Sequence, residues 1–348
     1  MVTIKEIANA VGVSSGTVSR VLNYDPTLSV SATKRQAIIE AAEALNYETP
    51  RNRNRGNGSS HAGGPSLSRL VLVHFLESTE ELADPYYVGV RLGIENRCKD
   101  MGTEIAKIYH GEQLPDQILL QGASGVIAIG QHKQNEIDWL QNNCRNIVFA
   151  DFKPRRNDLD CVYSDLNEST HMLLDDIAAL GYSRIGFIGI SGPADGLSIP
   201  RYGTRGQAYV DWHKRRGLFS PELLMLGDVA DTGQNLRLEA GYSLAKHVLQ
   251  QGTRPDIVVV ANDNMAIGAY RAFQEAGLSI PDDIAVVSFN DIPVAQFLNP
   301  PLSSVRIRGE HIGEAAVELL VERLAGRDYT KRVIIPTRMI WRESCRHP

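Results

Sequence analysis

Apolar residues recur at helical spacing at the very start of the chain. One set, spaced three and four residues apart, predicts a first short helix: Ile4, Ile7, Ala8 and Val11. Gly12 follows and predicts its end, because glycine adopts the φ > 0 conformation of a helix stop without a steric penalty. A second apolar stripe predicts another short helix: Val18, Val21 and Leu22. Ser14 stands where the N-cap of this second helix is expected.

The polar face of the second helix suits contact with DNA. It carries Ser15, Gly16, Ser19 and Arg20. Two short helices joined by a tight turn have the plan of a helix-turn-helix, whose second helix enters the major groove. Small polar residues allow close approach, and Arg20 can reach a guanine or a phosphate. The spacing alone fits an ordinary helical hairpin in some α domain equally well.

A third helix and a linker are predicted next. Apolar residues near 33–45 would close a small three-helix core: Ile38, Ile39, Ala42 and Leu45. Residues 49–68 are rich in Gly, Ser, Asn, Arg and Pro, which predicts a linker. Its arginines, Arg51, Arg53 and Arg55, could contact phosphates or enter the minor groove. A solvated tether is the alternative interpretation.

From residue 70 onward, short apolar runs alternate with amphipathic helical segments. The runs that predict buried strands are 70–76, 104–109, 125–130, 146–151, 161–165, 184–190, 256–262 and 284–290. Strands that alternate with helices are typical of parallel sheets covered on both faces. About ten strands are more than one sheet comfortably holds. We therefore expect two α/β subdomains, with more than one chain crossing between them.

Composition argues against several classes of protein. The 348 residues are enough for two or three domains, and the hydrophobic fraction of 43 % is typical of globular proteins. No apolar run approaches the length of a membrane span, and the polar N-terminus leads directly into the first helix, so we expect no signal peptide. The cysteines are scattered: Cys98, Cys144, Cys161 and Cys345. We expect free cytosolic thiols and no metal site.

Charge is distributed unevenly along the chain. Residues 1–58 contain seven Lys/Arg and five Asp/Glu, so they carry +2, and since the whole chain carries −5 the remainder carries −7. A mildly basic head on an acidic body fits nucleic-acid contact confined to the head. A phosphate-binding GxxxxGKS/T loop does not occur, and the stretch GVSSG at residues 12–16 lies at the predicted turn between two helices, so it is not a GxSxG elbow, which joins a strand to a helix. We therefore predict no catalytic set and no cofactor.

Polar residues follow several of the predicted strands. Asp151, Asn262, Asp263, Asn290 and Asp291 come at strand ends, with Phe75 near the end of the first strand. Ligands of open α/β sheets bind beyond these ends. Carboxylates and amides hydrogen-bond neighbouring hydroxyls, and rings cover an apolar sugar face, so the pattern suits a sugar. Each polar residue could instead be the N-cap of the next helix.

The stretch TIKEIANAVGVSSGTVSRVLN, residues 3–23, closely resembles the DNA-binding head of the lactose and galactose repressor (LacI/GalR) family. The consensus there is Thr-Ile-x-Asp-Ile-Ala, then Gly-Val-Ser, then Thr-Val-Ser-Arg-Val-Leu-Asn, and Glu6 is the departure. The resemblance implies an all-α helix-turn-helix DNA-binding head and an α/β periplasmic-binding-protein-like core of two doubly wound parallel-sheet subdomains. The DNA-binding residues that it implies are Thr3, Ser14, Ser15, Gly16, Thr17, Ser19, Arg20, Asn23, Tyr47 and Arg51.

The body resembles the same family in three stretches. VVVANDNMAIGAYRAFQEAGLSIPDDIAVVSFND is the most similar, and YGTRGQAYVDWHKRRG contains an arginine whose fork can grip two hydroxyls. DPYYVGVRLGIE is similar to a branch with galactoside-responsive regulators; Tyr86 and Tyr87 within it would border the cleft or serve a core or interface. The implied ligand-binding residues are Phe75, Tyr86, Asp151, Arg205, Leu236, Asn262 and Asn290.

Four further features depart from the pattern of that family or of its lactose repressor. Asn290 replaces a common aspartate, and Leu236 stands where the lactose repressor has a sugar-stacking aromatic. The linker lacks the Val-Ala and Leu of the hinge helix that wedges into the minor groove, so we do not expect a standard hinge. The chain ends at MIWRESCRHP, without the tetramerising C-terminal helix of the lactose repressor, so we expect a homodimer.

These observations predict a cytoplasmic repressor of a sugar-utilisation operon. Its partners would be near-palindromic operator DNA, a second copy of the chain and a neutral sugar, with galactose or a galactoside favoured. The expected boundaries are 1–48 for the head, 49–68 for the linker and 69–348 for the core, with subdomain one at 69–164 and 306–328 and subdomain two at 165–305 and 329–348. Alternatives are a purine or phosphosugar effector, a sugar-binding protein without a regulatory role, and an enzyme.

Overall fold

The computed structural model describes residues 4–22, 30, 31, 34, 37, 38, 41, 67, 69–111, 117, 120, 122–191, 202–227 and 237–346. The chain divides into two compact units, residues 1–63 and residues 64–348. The first is the head, and the second is the α/β core.

In the head, α1 (Ile4–Val11) and α2 (Ser15–Leu22) are joined by the predicted turn. Gly12 has φ 70°, and the N–H of Val13 donates to the carbonyl of Ala8 at 3.0 Å, which closes the end of α1. Ser14 Oγ accepts from the N–H of Thr17 at 3.1 Å and caps α2. The buried core of the head consists of Ile7, Ala8, Val18, Val21 and Ile38.

The predicted third helix is described at four positions, all helical: Lys34, Ala37, Ile38 and Ala41. Its other predicted core residues, Ile39, Ala42 and Leu45, lie outside the described residues. Most of the predicted linker lies outside them too. Leu67, which the sequence assigned to the linker, is 8 % exposed, and its carbonyl accepts from Thr103 Oγ1 at 2.8 Å. Leu67 therefore packs as part of the core.

The core contains two six-stranded sheets. The strands of the first sheet are β1 (Arg69–His74), β2 (Glu104–His110), β3 (Gly125–Ile129), β4 (Ile147–Ala150), β5 (Asp160–Tyr163) and β11 (Arg332–Ile334). The strands of the second are β6 (Ile185–Ile190), β7 (Leu224–Gly227), β8 (Ile257–Val260), β9 (Ala285–Asn290), β10 (Ser303–Arg306) and β12 (Arg338–Ile340). Their spatial orders are β11-β5-β4-β3-β1-β2 and β12-β10-β9-β8-β6-β7. All pairs are parallel except β10 with β12, so the predicted doubly wound fold is confirmed.

Helices cover both faces of the sheets. Those of the first subdomain are α3 (Ser78–Leu82), α4 (Pro85–Met101), α5 (Gln134–Asn143) and α10 (Gly309–Leu324). Those of the second are α6 (Leu166–Ala179), α7 (Gly203–Arg216), α8 (Leu238–Gln250) and α9 (Asp263–Glu275). The second subdomain also contains two 3-10 turns, Pro221–Leu223 and Pro293–Phe297. In the described part of the chain, no helix is both long and apolar enough to span a membrane.

The chain crosses between the subdomains three times. The crossings lie between β5 and α6, between β10 and α10, and between β11 and β12. The first and third are tied together, because Ser164 Oγ donates to the carbonyl of Ile335 at 2.7 Å. Residues 329–334 were assigned to subdomain two from the sequence. This limit was wrong, because β11 pairs with β5 and therefore belongs to the first sheet.

Candidate functional site

The exposed face of α2 presents the predicted recognition surface. Val18 and Val21 are buried, whereas Gly16 and Arg20 are exposed, and Ser15 and Ser19 are partly exposed. Ser14 Oγ is committed to the cap and also lies 2.8 Å from Thr17 Oγ1. The remaining residues predicted to bind DNA lie outside the described residues: Thr3, Asn23, Tyr47 and Arg51. The described part of this surface thus consists of small or polar residues, with the positively charged Arg20 toward the end of α2.

Strained backbone marks the edges where the two sheets face each other. The non-glycine residues with positive φ in the described part of the chain are Asp151 (58°), Asn290 (103°) and Asp291 (55°). Asp151 directly follows β4, and Asn290 ends β9. Left-handed backbone costs free energy for such residues and tends to occur at functional positions. Both Asp151 and Asn290 were predicted to bind ligand.

Asp151 is the centre of a hydrogen-bonded cluster at the first sheet. Tyr86 Oη donates to Asp151 Oδ1 at 2.7 Å, and the Tyr87 hydroxyl also donates to this carboxylate. Both tyrosines lie in the first turn of α4. Asp84 caps this helix by accepting from the N–H of Tyr86 at 3.1 Å, so the DPYY motif places the tyrosines. The Asp151 carboxylate is therefore held by the hydroxyls of two tyrosines.

Arg205 approaches this cluster from the second subdomain. It lies in the first turn of α7, and its guanidinium carbon lies 5.4 Å from the ring centroid of Phe289. Its charge is attracted by the carboxylates of Asp151 and Asp84, beside which the two neutral tyrosines lie. Burial lowers the pKa of Arg205, but an arginine stays charged at physiological pH. A cation of one subdomain therefore faces carboxylates and hydroxyls of the other across the cleft.

An aromatic wall continues from the cluster. The Phe75 and Tyr87 rings meet edge to face with centroids 4.8 Å apart, and His74 stacks on Phe75 at 5.6 Å. Gly130, with φ 77°, makes room for Phe75, because a Cβ there would lie 2.1 Å from the ring. Phe75 is partly exposed, so it offers an apolar surface in the cleft.

The other predicted ligand residues are placed differently. Asn262 is 1 % exposed, and its Oδ1 accepts from the N–H of Met265 at 2.9 Å, so it is the N-cap of α9. Asn290 adjoins Phe289, on which Arg205 stacks. Leu236 lies outside the described residues. Asp263 is held by Ser304 Oγ at 2.7 Å and by the N–H of Ile292 at 2.7 Å, which gives it a structural role.

Two residues of the site were not predicted from the sequence. Asp84 faces Arg205 and caps α4, and Phe289 supports the guanidinium. An Asp-Pro pair at a helix start signals the cap of Asp84 but not its position opposite an arginine. Phe289 reads as an ordinary core residue of β9. Among the described residues, no group of three or more His, Cys, Asp or Glu could hold a metal ion.

The ionised carboxylate of Asp151 should lower the free energy of unfolding of the ligand-free protein, because burial raises the pKa of this carboxyl to about 6. The folded chain then binds the proton more tightly than the unfolded chain, so stability falls as pH rises from about 4 to 6 and the cost persists above. Asp151→Asn should therefore raise Tm at pH 8 by roughly 2–5 °C, about 1–2 kcal/mol after solvent screening, and have little effect at pH 4.

Thermal unfolding of both proteins at the two pH values measures this difference. Asp263, whose pKa burial also raises to about 6, titrates in both proteins and cancels. An equal Tm difference at pH 4 and pH 8 would show that Asp151 ionises normally.

A helix-turn-helix head on a two-sheet core with a polar cleft defines the class of ligand-responsive DNA-binding regulators. Sequence profiles agree with this class. The profile of "Bacterial regulatory proteins, lacI family" matches residues 3–50, and that of "Periplasmic binding protein-like domain" matches residues 174–345. The lac repressor dimer bound to operator and the anti-inducer ONPF shares the fold, with a TM-score of 0.66, 23 % identity and coverage of 99 % of this chain and 98 % of that one.

Two relatives are similar in sequence. The HTH-type transcriptional repressor MelR of Bacillus subtilis (strain 168) is 34 % identical over 349 residues, which are 99 % of this chain and 98 % of MelR. The lactose operon repressor of Rhizobium radiobacter is 70 % identical over 110 residues, which are 32 % of this chain and 97 % of that sequence. The chain belongs to the LacI family of bacterial regulatory proteins, and it is a DNA-binding transcriptional repressor, not an enzyme.

Proposed function

We propose that this repressor controls a sugar-utilisation operon and that a neutral sugar, with galactose or a galactoside favoured, binds between its two subdomains. The observation that carries the proposal is the closeness of the Arg205 charge to the Asp151 and Asp84 carboxylates across the cleft. A guanidinium donates in a fork, and carboxylates accept, so together they match the vicinal hydroxyls of a sugar ring. Phe75 supplies the apolar surface on which such a ring lies.

Charge argues against a phosphosugar. Among the described residues, Arg205 is the cation that acts on the cluster, and two carboxylates, Asp151 and Asp84, lie beside it. A phosphate in this cleft would meet more negative than positive charge, whereas phosphate sites use several cations or an open helix N-terminus. The start of α9 is already occupied by the Asn262 cap. A ligand without charge avoids this repulsion.

Ring geometry argues against a purine. A base is best held against the flat face of an aromatic ring, and Phe75 and Tyr87 instead meet at an interplanar angle of 66°. Tyr86 also meets Tyr87 at 71°, so the three rings pack on one another's edges and do not form a parallel-sided slot. Polar groups and partly exposed ring edges suit the mixed surface of a sugar better.

Sequence similarity supports a galactoside. The Rhizobium radiobacter relative, 70 % identical over 110 residues, is named a lactose operon repressor, and lactose is a galactoside. The DPYY motif, which provides Asp84 and both tyrosines, is the stretch that resembles galactoside-responsive regulators. The proposed ligand set keeps Phe75, Tyr86, Asp151, Arg205, Leu236, Asn262 and Asn290, to which we add Asp84, Tyr87 and Phe289.

A titration of operator DNA tests the proposal. Purified protein is bound to the DNA upstream of its gene, and galactose, lactose, a sugar phosphate and a purine are added in separate gel-shift titrations. We expect galactose or lactose to change operator affinity and the two charged or aromatic ligands to leave it unchanged. A response restricted to the sugar phosphate or the purine would contradict the assignment of a neutral sugar.

The DNA-bound form is proposed to be a cytoplasmic homodimer. Two heads bind the half-sites of a near-palindromic operator, which matches the two-fold symmetry of a dimer. In each head, we propose that the predicted residues contact DNA, with Arg20 the main cation. The effector must bind one arrangement of the subdomains more tightly than another, because only such a difference shifts an equilibrium.

One apolar side chain suggests where the copies meet. Phe297, at the end of the turn Pro293–Phe297, is 78 % exposed, and Val294 beside it is 42 % exposed. Exposed neighbouring apolar groups are typical of association surfaces. Phe297→Asp should therefore give monomers at concentrations where the wild type is dimeric, as measured by sedimentation velocity. Leu218→Asp, at a 56 % exposed leucine after α7, is the control and should remain dimeric. Dimeric Phe297→Asp would place the interface elsewhere.

A further inference from the structure

The connection between β1 and α4 bridges the cleft. Residues 77–84 of this connection contain the short helix α3, and we call them the strap. Within the strap, the N–H of Glu77 donates to Glu80 Oε2 at 3.1 Å. Glu81 is 3 % exposed and ion-paired with Arg91 on α4. The strap is therefore built into the first subdomain and moves with it.

Three interactions join the strap to the second subdomain. The Glu80 carboxylate is ion-paired with the guanidinium of Arg237, the N-cap residue of α8. Asn264 Nδ2, in the first turn of α9, donates to the carbonyl of Ala83 at 3.5 Å. Asp84 attracts the charge of Arg205. A single segment of one subdomain thus contacts the starts of two helices of the other, α8 and α9, and attracts a charge at the start of a third, α7.

We propose that the strap is a latch, in which Glu80 and Arg237 hold the two subdomains together across the cleft and set how readily an effector closes it. The inference rests on the proposed function in one respect, that the effector binds in this cleft. Neither Glu80 nor Arg237 belongs to the proposed ligand set. The latch therefore acts on the balance between open and closed arrangements, and a ligand that requires closure binds more weakly when less of the protein is closed.

The exposure of the pair determines the size of the expected effect. The Arg237 side chain is 51 % exposed and that of Glu80 is 21 % exposed, and water screens such pairs. Neutralising one partner should change little. Reversing one charge replaces attraction with repulsion, so Arg237→Glu should weaken lactose binding about three- to tenfold. The double exchange Glu80→Arg with Arg237→Glu restores the pair with opposite polarity but loses the bond from the Glu77 N–H, so it should return the affinity to within about threefold of the wild type.

Closure is measured without any ligand by the distance between two spin labels. Leu82→Cys, at a 75 % exposed position of the strap, and Ser243→Cys, on the exposed side of α8, carry the labels. Cys144→Ser removes the one partly exposed cysteine, since Cys98, Cys161 and Cys345 are buried. Excess unlabelled protein confines the measured distance to one subunit. We expect Arg237→Glu to lengthen and broaden the distance distribution, and the double exchange to reverse this.

Arg271→Glu is the matched control. It breaks an exposed ion pair with Glu275 that lies wholly within α9, so it changes the net charge equally without touching the strap. An unchanged distance in Arg237→Glu, or one that the double exchange does not restore, would overturn the latch even if lactose binds. If the distances respond as expected while no sugar binds, the latch stands and the proposed effector is wrong.

Discussion

Arg20→Ala should greatly reduce the affinity of the repressor for its operator. Arg20 is exposed on the polar face of α2, opposite the buried Val18 and Val21. A good contact from an arginine to a base is worth about 1–3 kcal/mol, and a dimer loses it twice, so we expect a loss of about 2–6 kcal/mol. A gel-shift titration against the operator at fixed salt measures the loss.

Lys5→Ala is the control for charge. Lys5 is exposed on α1, so this variant also removes one cation from each head but leaves the recognition helix intact. If Arg20 contacts a base, its replacement should weaken operator binding far more than binding to unrelated DNA. If it contacts a phosphate, affinity for both DNAs should fall, with a shallower dependence on salt. Operator affinity equal to that of the wild type would remove Arg20 from the contact set.

Arg205→Ala should abolish most effector binding and leave operator binding intact. Arg205 brings the positive charge of the second subdomain to Asp151 and Asp84, and it rests on Phe289. Removing one member of a buried, charged hydrogen-bonding set costs roughly 2–5 kcal/mol. Calorimetric titration with lactose, galactose and glucose measures the loss, and the operator complex of the variant should no longer respond to the sugar.

Arg215→Ala tests whether the effect is specific to the cleft. Arg215 lies on the same helix, α7, but it is exposed and contacts His171. Its replacement should bind sugar as the wild type does. If Arg205→Ala also retains wild-type affinity, the effector binds somewhere other than between Asp151 and Arg205.

The two helices of the head could be predicted from the sequence because the residues that define them are close together along the chain. Gly12 ends α1, Ser14 caps α2 and the apolar spacing selects the buried face, each within one or two helical turns. Long strands were accessible for the same reason, since a continuous apolar run marks a strand buried on both faces. The short strands β7, β10, β11 and β12 were not predicted. Strands β10, β11 and β12 mix polar and apolar residues within three or four positions, unlike the wholly apolar four-residue strands β4 and β8, and β7 is a partly buried strand at a sheet edge.

The cleft was predictable only in part. Asp151 and Asn290 follow apolar runs, so the general rule for strand ends predicts both for the cleft, and their roles in binding stay predictions. The same rule could not separate Asn262, whose Oδ1 caps α9, from a residue that faces the cleft, because both roles place a polar residue after a strand. Arg205 does not directly follow a strand, so its predicted role in ligand binding came from the family resemblance.

The sequence by itself determined the class of protein, a helix-turn-helix head on a periplasmic-binding-protein-like α/β core, because helix periodicity, caps and apolar runs lie within short windows of sequence. Tertiary structure decided which residues each polar group interacts with. Asp84 and Glu80 read as helix-start residues, yet folding places them opposite Arg205 and Arg237, more than a hundred residues away. Likewise, the sequence places β11 with the C-terminal residues of the second subdomain, but the strand pairs with β5 in the first sheet. Such pairings depend on where three chain crossings bring the subdomains together, and no local pattern specifies that.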